Sequence, residues 1–278
     1  MSIPSHPTSD VANDPLVPPA NSTVDAWLDR TMGVLRRSGR SLLVILALTV
    51  GVPSILLAVV SAAAGMAYFS VRSADDSVVT TFGVLAFIGA VLLSSIANAV
   101  GWGAGIWAVT AAAAGEPAPL GLALRAGLRR ALPMWAWFLG YGLVVGIGLI
   151  VCVLPGLYFA VTLSLFSFVL MFERGTIPFG RSMKLVQASF RRALGRIGVL
   201  LVLAVGVNLV GGSIAGLVGE AVSRGGATSA GEVLGGAVTA VLQVLTGAVL
   251  LAGLLVTYAE ARGAREPLST NDLWTAVR

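Results

Sequence analysis

Five stretches of this chain contain no Asp, Glu, Lys or Arg: residues 41–71, 77–115, 131–172, 197–219 and 233–259. A bilayer core about 30 Å thick is crossed by a helix of roughly 20 apolar residues, so every one of these runs is long enough to span it. The third is too long for a single crossing. Leu154, Pro155 and Gly156 supply its break, because proline lacks a backbone donor and suits a first helical turn. The expected spans are therefore six, at about residues 42–69, 82–112, 132–154, 156–172, 197–219 and 234–258. They make a membrane domain of residues 23–262 between an N-terminal tail (1–22) and a short cytoplasmic C-terminal tail (263–278).

Hydrophobic residues form 56% of the chain and charged ones 11%, against about 25% charged in a soluble domain. The formal charge of +5 comes almost wholly from Arg, with Lys184 as the one lysine. Nucleic acid is not the expected partner, because these arginines sit in short segments between apolar spans and not on a water-exposed basic surface. The single Cys152 cannot form an internal disulfide, and with His6 as the one histidine no cysteine–histidine zinc site can be assembled. No cofactor is expected. The tail holds Pro4, Pro7, Pro15, Pro18 and Pro19 and few apolar residues, which predicts disorder over residues 1–22. It lacks the basic start and short apolar core of a signal peptide.

Charge placement orients the spans. Arg30, Arg36, Arg37 and Arg40 precede the first, and Arg125, Arg129 and Arg130 separate the second from the third. Arg174, Arg181, Lys184, Arg191, Arg192 and Arg196 lie between the fourth and fifth, and Arg262, Arg265 and Arg278 follow the sixth. Only Arg72 and Arg224 fall on the opposite side. Basic residues are retained in the cytoplasm, so both termini are expected there. Usage of Arg, Ala and Gly over Lys suggests a bacterial source of high G+C content, and hence a cell membrane location.

The basic segments have helical periodicity of their own. From Pro178 to Ile197, Phe179, Met183, Val186, Phe190, Ala193, Leu194 and Ile197 fall on one face, with Arg181, Lys184, Arg191, Arg192 and Arg196 opposite and Leu185 as the misfit. Thr176 is a candidate cap and Pro178 suits the first turn. Val24, Trp27, Leu28, Met32 and Leu35 share a face before span one, and Leu120, Leu124 and Leu128 a weaker one before span three. Such helices are expected to lie in the headgroup plane. The fold expected is thus an all-α membrane protein, a six-transmembrane-helix bundle with three basic amphipathic interfacial helices on the cytoplasmic side. The pairs Arg36-Arg37, Arg129-Arg130 and Arg191-Arg192 are consistent with three copies of one unit, and equally with the positive-inside rule alone.

The segments Met171-Phe172-Glu173-Arg174-Gly175, Gly180-Arg181-Ser182-Met183-Lys184-Leu185-Val186 and Arg196-Ile197-Gly198 resemble the pattern of the glycerophosphodiester phosphodiesterase membrane domain family and related bacterial multi-pass families of unknown function. Leu154-Pro155-Gly156-Leu157, Tyr258, Arg262, Arg265 and Glu266 fit the same pattern, over about residues 123–266. The resemblance implies a membrane module. In the fused enzymes of that family catalysis belongs to a separate soluble barrel, for which six spans leave no room here.

Candidate site residues are few. Asn98, Asn208 and Gln243 are amides expected inside the membrane, either bonding neighbouring helices or, with Ser94, Ser95, Thr239 and Thr246, lining a solute path. Glu173 stands where span four meets the basic helix, placed for a structural ion pair with Arg181. Catalysis there would need a second acid or base. Small-residue pairs such as Gly101 and Gly105, Gly142 and Gly146, and Gly212 and Gly216 permit close helix packing, and Trp107, Trp135, Trp137 and Tyr258 are expected as interfacial anchors. The expected function is non-enzymatic: recognition of anionic lipid through Arg181, Lys184, Arg191, Arg192 and Arg196, or a scaffold for a cytoplasmic protein partner or for a homo-oligomer. A small-solute transporter or channel is the alternative.

Overall fold

The computed structural model describes residues 14–18, 22–71, 77–224 and 228–278, and all regular structure among them is helical. Six segments are long and apolar enough to cross a membrane: Val24–Ala63, Thr81–Ala113, Ala131–Val151, Val153–Phe172, Phe190–Arg224 and Ala230–Gly263. The outward faces agree with that solvent. Ile150 is 86% exposed and Val202 74%, which water would penalise and acyl chains do not. The chain is a multi-pass membrane protein.

α1 (Val24–Leu46) begins at Thr23, whose side chain accepts from the Ala26 N–H at 3.3 Å. It was expected as a separate interfacial helix ending before span one. Instead it runs through a π-helical turn (Ala47–Gly51) into α2 (Val52–Val71), because nothing between Arg40 and Val52 breaks the backbone ladder. Its expected apolar face divides: Trp27 is buried and Leu35 half-buried, whereas Val24, Leu28 and Met32 point outward.

α3 (Ser77–Ala113) packs on α1, α2, α4 (Leu120–Arg129) and α5 (Ala131–Val151). Glycines set these approaches. A Cβ on Gly127 of α4 would lie 2.9 Å from the Ala104 backbone nitrogen, and one on Gly105 would lie 2.7 Å from Leu251. Gly142, Gly146, Gly212 and Gly216 meet nothing within 4 Å, so those two expected pairs are not packing sites within the chain.

The break in the third apolar run falls at Cys152, two residues before the expected site. Cys152 is extended, and α6 (Val153–Leu163) starts immediately after it, so Pro155 falls in a first turn where its missing N–H has no helical partner to lose. Gly148 and Gly156 then touch across the hairpin, a Cβ on Gly148 coming 2.8 Å from the Gly156 Cα. After Ser164 and Leu165 the crossing finishes as α7 (Phe166–Phe172).

The expected amphipathic helix of residues 178–197 is also two elements. α8 (Pro178–Ala188) ends at Ser189, and Phe190 opens α9 (Phe190–Arg224), the fifth crossing. Leu185, the misfit in the facial pattern, is fully buried. α10 (Thr228–Gly263) is the core helix, with Leu251, Ala252, Leu255, Val256, Tyr258 and Ala259 each at 0% exposure and packed among α1, α2 and α9.

Both described chain ends dock at one end of the bundle. α11 (Thr270–Val277) is opened by a capping box between Ser269 and Asp272, and its Trp274 packs on Trp107 of α3 at 5.2 Å. Residues 1–13 and 19–21 of the expected disordered tail lie outside the described residues, but Asp14–Pro18 is ordered against this helix. Leu16 and Val17 are buried, and Asp14 accepts from the backbone N–H groups of Leu16, Val17 and Thr270 at 2.8–2.9 Å. Two leucine-sized anchors and a shared carboxylate outweigh the ordering entropy that the prolines had already reduced.

Candidate functional site

Tyr258 and Arg262 stand four residues apart in the last turns of α10, and Glu266, in the turn just past its end, donates its N–H to the Arg262 carbonyl at 3.0 Å, so the three present one edge toward α7 and α8. Glu173, just past α7, meets that edge. Its Oε2 lies 2.7 Å from Arg181 Nε and its Oε1 accepts from the Tyr258 hydroxyl at 2.9 Å. Arg181 extends the chain of charges to Glu266 at 2.6 Å, and Glu266 reaches Arg262 at 3.3 Å. Tyr258 is held in place by stacking on Phe168 and Phe172, at 5.9 and 5.4 Å. The hydrogen bond from Arg181 holds the Glu266 carboxyl below its ordinary pKa. Burial alone would lower the Arg181 guanidinium, and Glu266 and Glu173 more than reverse that. Both Glu173 oxygens are occupied, so this network locks the angle of α8 against α7 and α10.

A second buried pair sits on the next interface. Arg196 of α9 and Glu260 of α10 form an ion pair with side chains only 4% and 6% exposed. Ser22 joins it, donating to Glu260 Oε1 at 3.2 Å while its carbonyl accepts from Arg196 at 2.9 Å. Nearby, Trp27 of α1 donates to Thr257 of α10 at 3.0 Å. Arg130, before α5, donates to the carbonyls of Leu170 and Met171 at 3.0 and 2.6 Å, capping α7 where four carbonyls lack helical partners. Burial, with Arg174 beside it, lowers the Arg130 pKa.

The five basic residues expected at lipid headgroups therefore separate. Arg181 and Arg196 are turned inward by carboxylates, which outcompete headgroups because they are fixed in reach. Lys184, Arg191 and Arg192 are exposed, as are Arg125, Arg129 and Arg174, and none of these six forms an ion pair among the described residues. The aromatic anchors also turn inward: Trp107 meets Trp274 edge to face, Trp135 donates to Ser95 at 2.8 Å, and Trp137 lies 4.6 Å from Phe179.

Of the three amides, two come together. Asn98 and Gln243 line a cleft of about 420 Å³ between the π-helical turn, α2, α3, α5 and α10, with Ser54, Ser94, Ser95 and Trp135. Gln243 accepts from the Ser54 hydroxyl at 3.0 Å. Asn208 is not part of it, since it faces outward on α9 and donates to the Ala204 carbonyl of its own helix at 2.7 Å. The continuous three-amide path is not assembled.

No protein family, curated protein or solved structure matches the chain.

Glu260, Glu266 and Asp14 were not singled out as site residues. The first two carry a signal: carboxylates within about one turn of Arg262, at the end of a long apolar crossing, must find partners against the bundle. Asp14 carries none, since the partner that ties it to the bundle, Thr270, is more than 250 positions away.

Proposed function

We propose that the protein is a non-enzymatic, multi-pass component of the bacterial cytoplasmic membrane whose basic end binds anionic lipid headgroups. The observation that carries this reading is the set of six exposed, carboxylate-free basic side chains: Arg125, Arg129, Arg174, Lys184, Arg191 and Arg192. Each Lys or Arg near an anionic surface contributes about 1 kcal/mol, so a cluster of this size confers a measurable lipid preference. The rigid network beneath the cluster holds α8 and the start of α9 in fixed relation, which favours recognition of a surface over a flexible anchor.

The test is native mass spectrometry of protein released from nanodiscs of mixed phosphatidylglycerol and phosphatidylcholine. Wild type is expected to retain phosphatidylglycerol preferentially, and K184Q/R191Q/R192Q to lose that preference while keeping its fold. Equal retention by wild type and variant overturns the proposal. Solute transport is the second reading, favoured by the cleft that Asn98 and Gln243 share and weakened by the separate position of Asn208.

A further inference from the structure

Asn98 stands near the middle of the Thr81–Ala113 crossing, and its side chain makes no hydrogen bond among the described residues. The same is true of the Ser94 hydroxyl and of the Gln243 amide nitrogen, although Gln243 Oε1 is engaged by Ser54. All three line the one cleft, on faces set by helical spacing: Val91, Ser94, Ser95 and Asn98 form a single stripe on α3. An amide left unbonded in hydrocarbon is expensive, and the chain offers these donors no partner although neighbouring serines and threonines routinely bond their own helix carbonyls. The cleft also takes Val50 from the π-helical turn, a distortion often found at functional sites.

We infer that this cleft binds a neutral, membrane-dissolved molecule that presents a hydroxyl or carbonyl oxygen on an apolar body. Three features select that class. The donors of Asn98 and Gln243 want oxygen acceptors. The lining contains no ionisable residue, so a charged group would be desolvated without compensation. Leu139 and Val91 at the outer lip are exposed toward acyl chains, which gives lateral entry from the bilayer. The volume lies within the range of small-molecule sites. This site is independent of the basic end and of anionic lipid.

The experiment uses the full chain in nanodiscs of neutral phosphatidylcholine, with a diazirine-bearing hexadecanol as probe and peptide mapping of the photoproducts. Labelling of α3 and α5 peptides is expected to saturate, to be displaced by unlabelled hexadecanol, and to resist hexadecane. N98L and Q243L should each weaken the probe by about three- to tenfold, the worth of one hydrogen bond. N98L should leave the thermal midpoint unchanged, since it removes no bond to protein, whereas Q243L also removes the bond from Ser54 and is read by probe affinity relative to its own folded fraction. Unsaturable labelling, equal competition by hexadecane, or unchanged affinity in N98L overturns the inference. The hexadecanol–hexadecane comparison decides it on wild type alone if the variants fail to fold.

Discussion

Replacing Glu260 by alanine leaves the Arg196 guanidinium enclosed between α9 and α10, at 4% exposure, with only Ser22 to satisfy it. Removing one partner of a buried ion pair costs about 3–5 kcal/mol, because the remaining charge keeps its desolvation penalty and loses its compensation. At about 2–4 °C per kcal/mol for chains near this size, E260A should melt about 6–20 °C below wild type. The double variant R196L/E260L separates this mechanism from simple loss of contact. It removes both charges and fills the space with apolar volume, a change that is often neutral or stabilising by about 1–4 kcal/mol. The double variant should therefore melt above E260A and near wild type. Fluorescence-detected size-exclusion chromatography after heating in detergent reads both midpoints. A shift below about 3 °C for E260A, or a double variant less stable than E260A, would refute the reasoning.

Three further outcomes follow from the same interfaces. Gly127→Ala should force α4 away from α3, destabilising by about 1–3 kcal/mol, because its Cβ would press on the Ala104 backbone nitrogen, which cannot swing aside; thermal melts against Gly121→Ala, where nothing lies within 4 Å, supply the control. Asp14→Ala should release α11, exposing the C-terminus to limited proteolysis while the six crossings stay intact, since Asp14 holds the N–H of Thr270 at 2.9 Å. Acid should loosen the α8 junction: the Glu266 carboxyl is held below its ordinary 4.5 by Arg181, so its contribution is full above that value and is lost as pH falls beneath it. The effect is small because Glu266 is 43% exposed, and E266Q should flatten the acid limb of a pH–stability profile.

The crossings were legible because hydrocarbon imposes a length and a near-ban on charge, both of which can be read residue by residue. Helix ends were less so. Pro155 marked the hairpin, yet the chain turns at Cys152, where the Gly148–Gly156 contact rather than the proline decides the geometry. Facial patterning placed Arg196 with Arg191 and Arg192 on a polar face, because a helical wheel distinguishes charge from apolarity and not a solvated charge from a paired one. The break at Ser189 then moved Arg196 onto the crossing helix, opposite Glu260. Leu185 fitted no lipid-facing stripe because its neighbours are the core. Asn98 and Gln243 could be chosen as intramembrane polar residues, but their meeting depends on how α3 packs beside α10, which no local pattern encodes.

The central claim is that six crossings hold the basic end of the bundle in the cytoplasm. The most direct measurement is labelling of intact bacterial cells with a membrane-impermeant maleimide, using single cysteines at Asp76 and at Arg174 in a C152S background. The account predicts that the cysteine at 76 reacts from outside and the one at 174 reacts only after the membrane is permeabilised. Reaction at 174 in intact cells, with 76 protected, would contradict it.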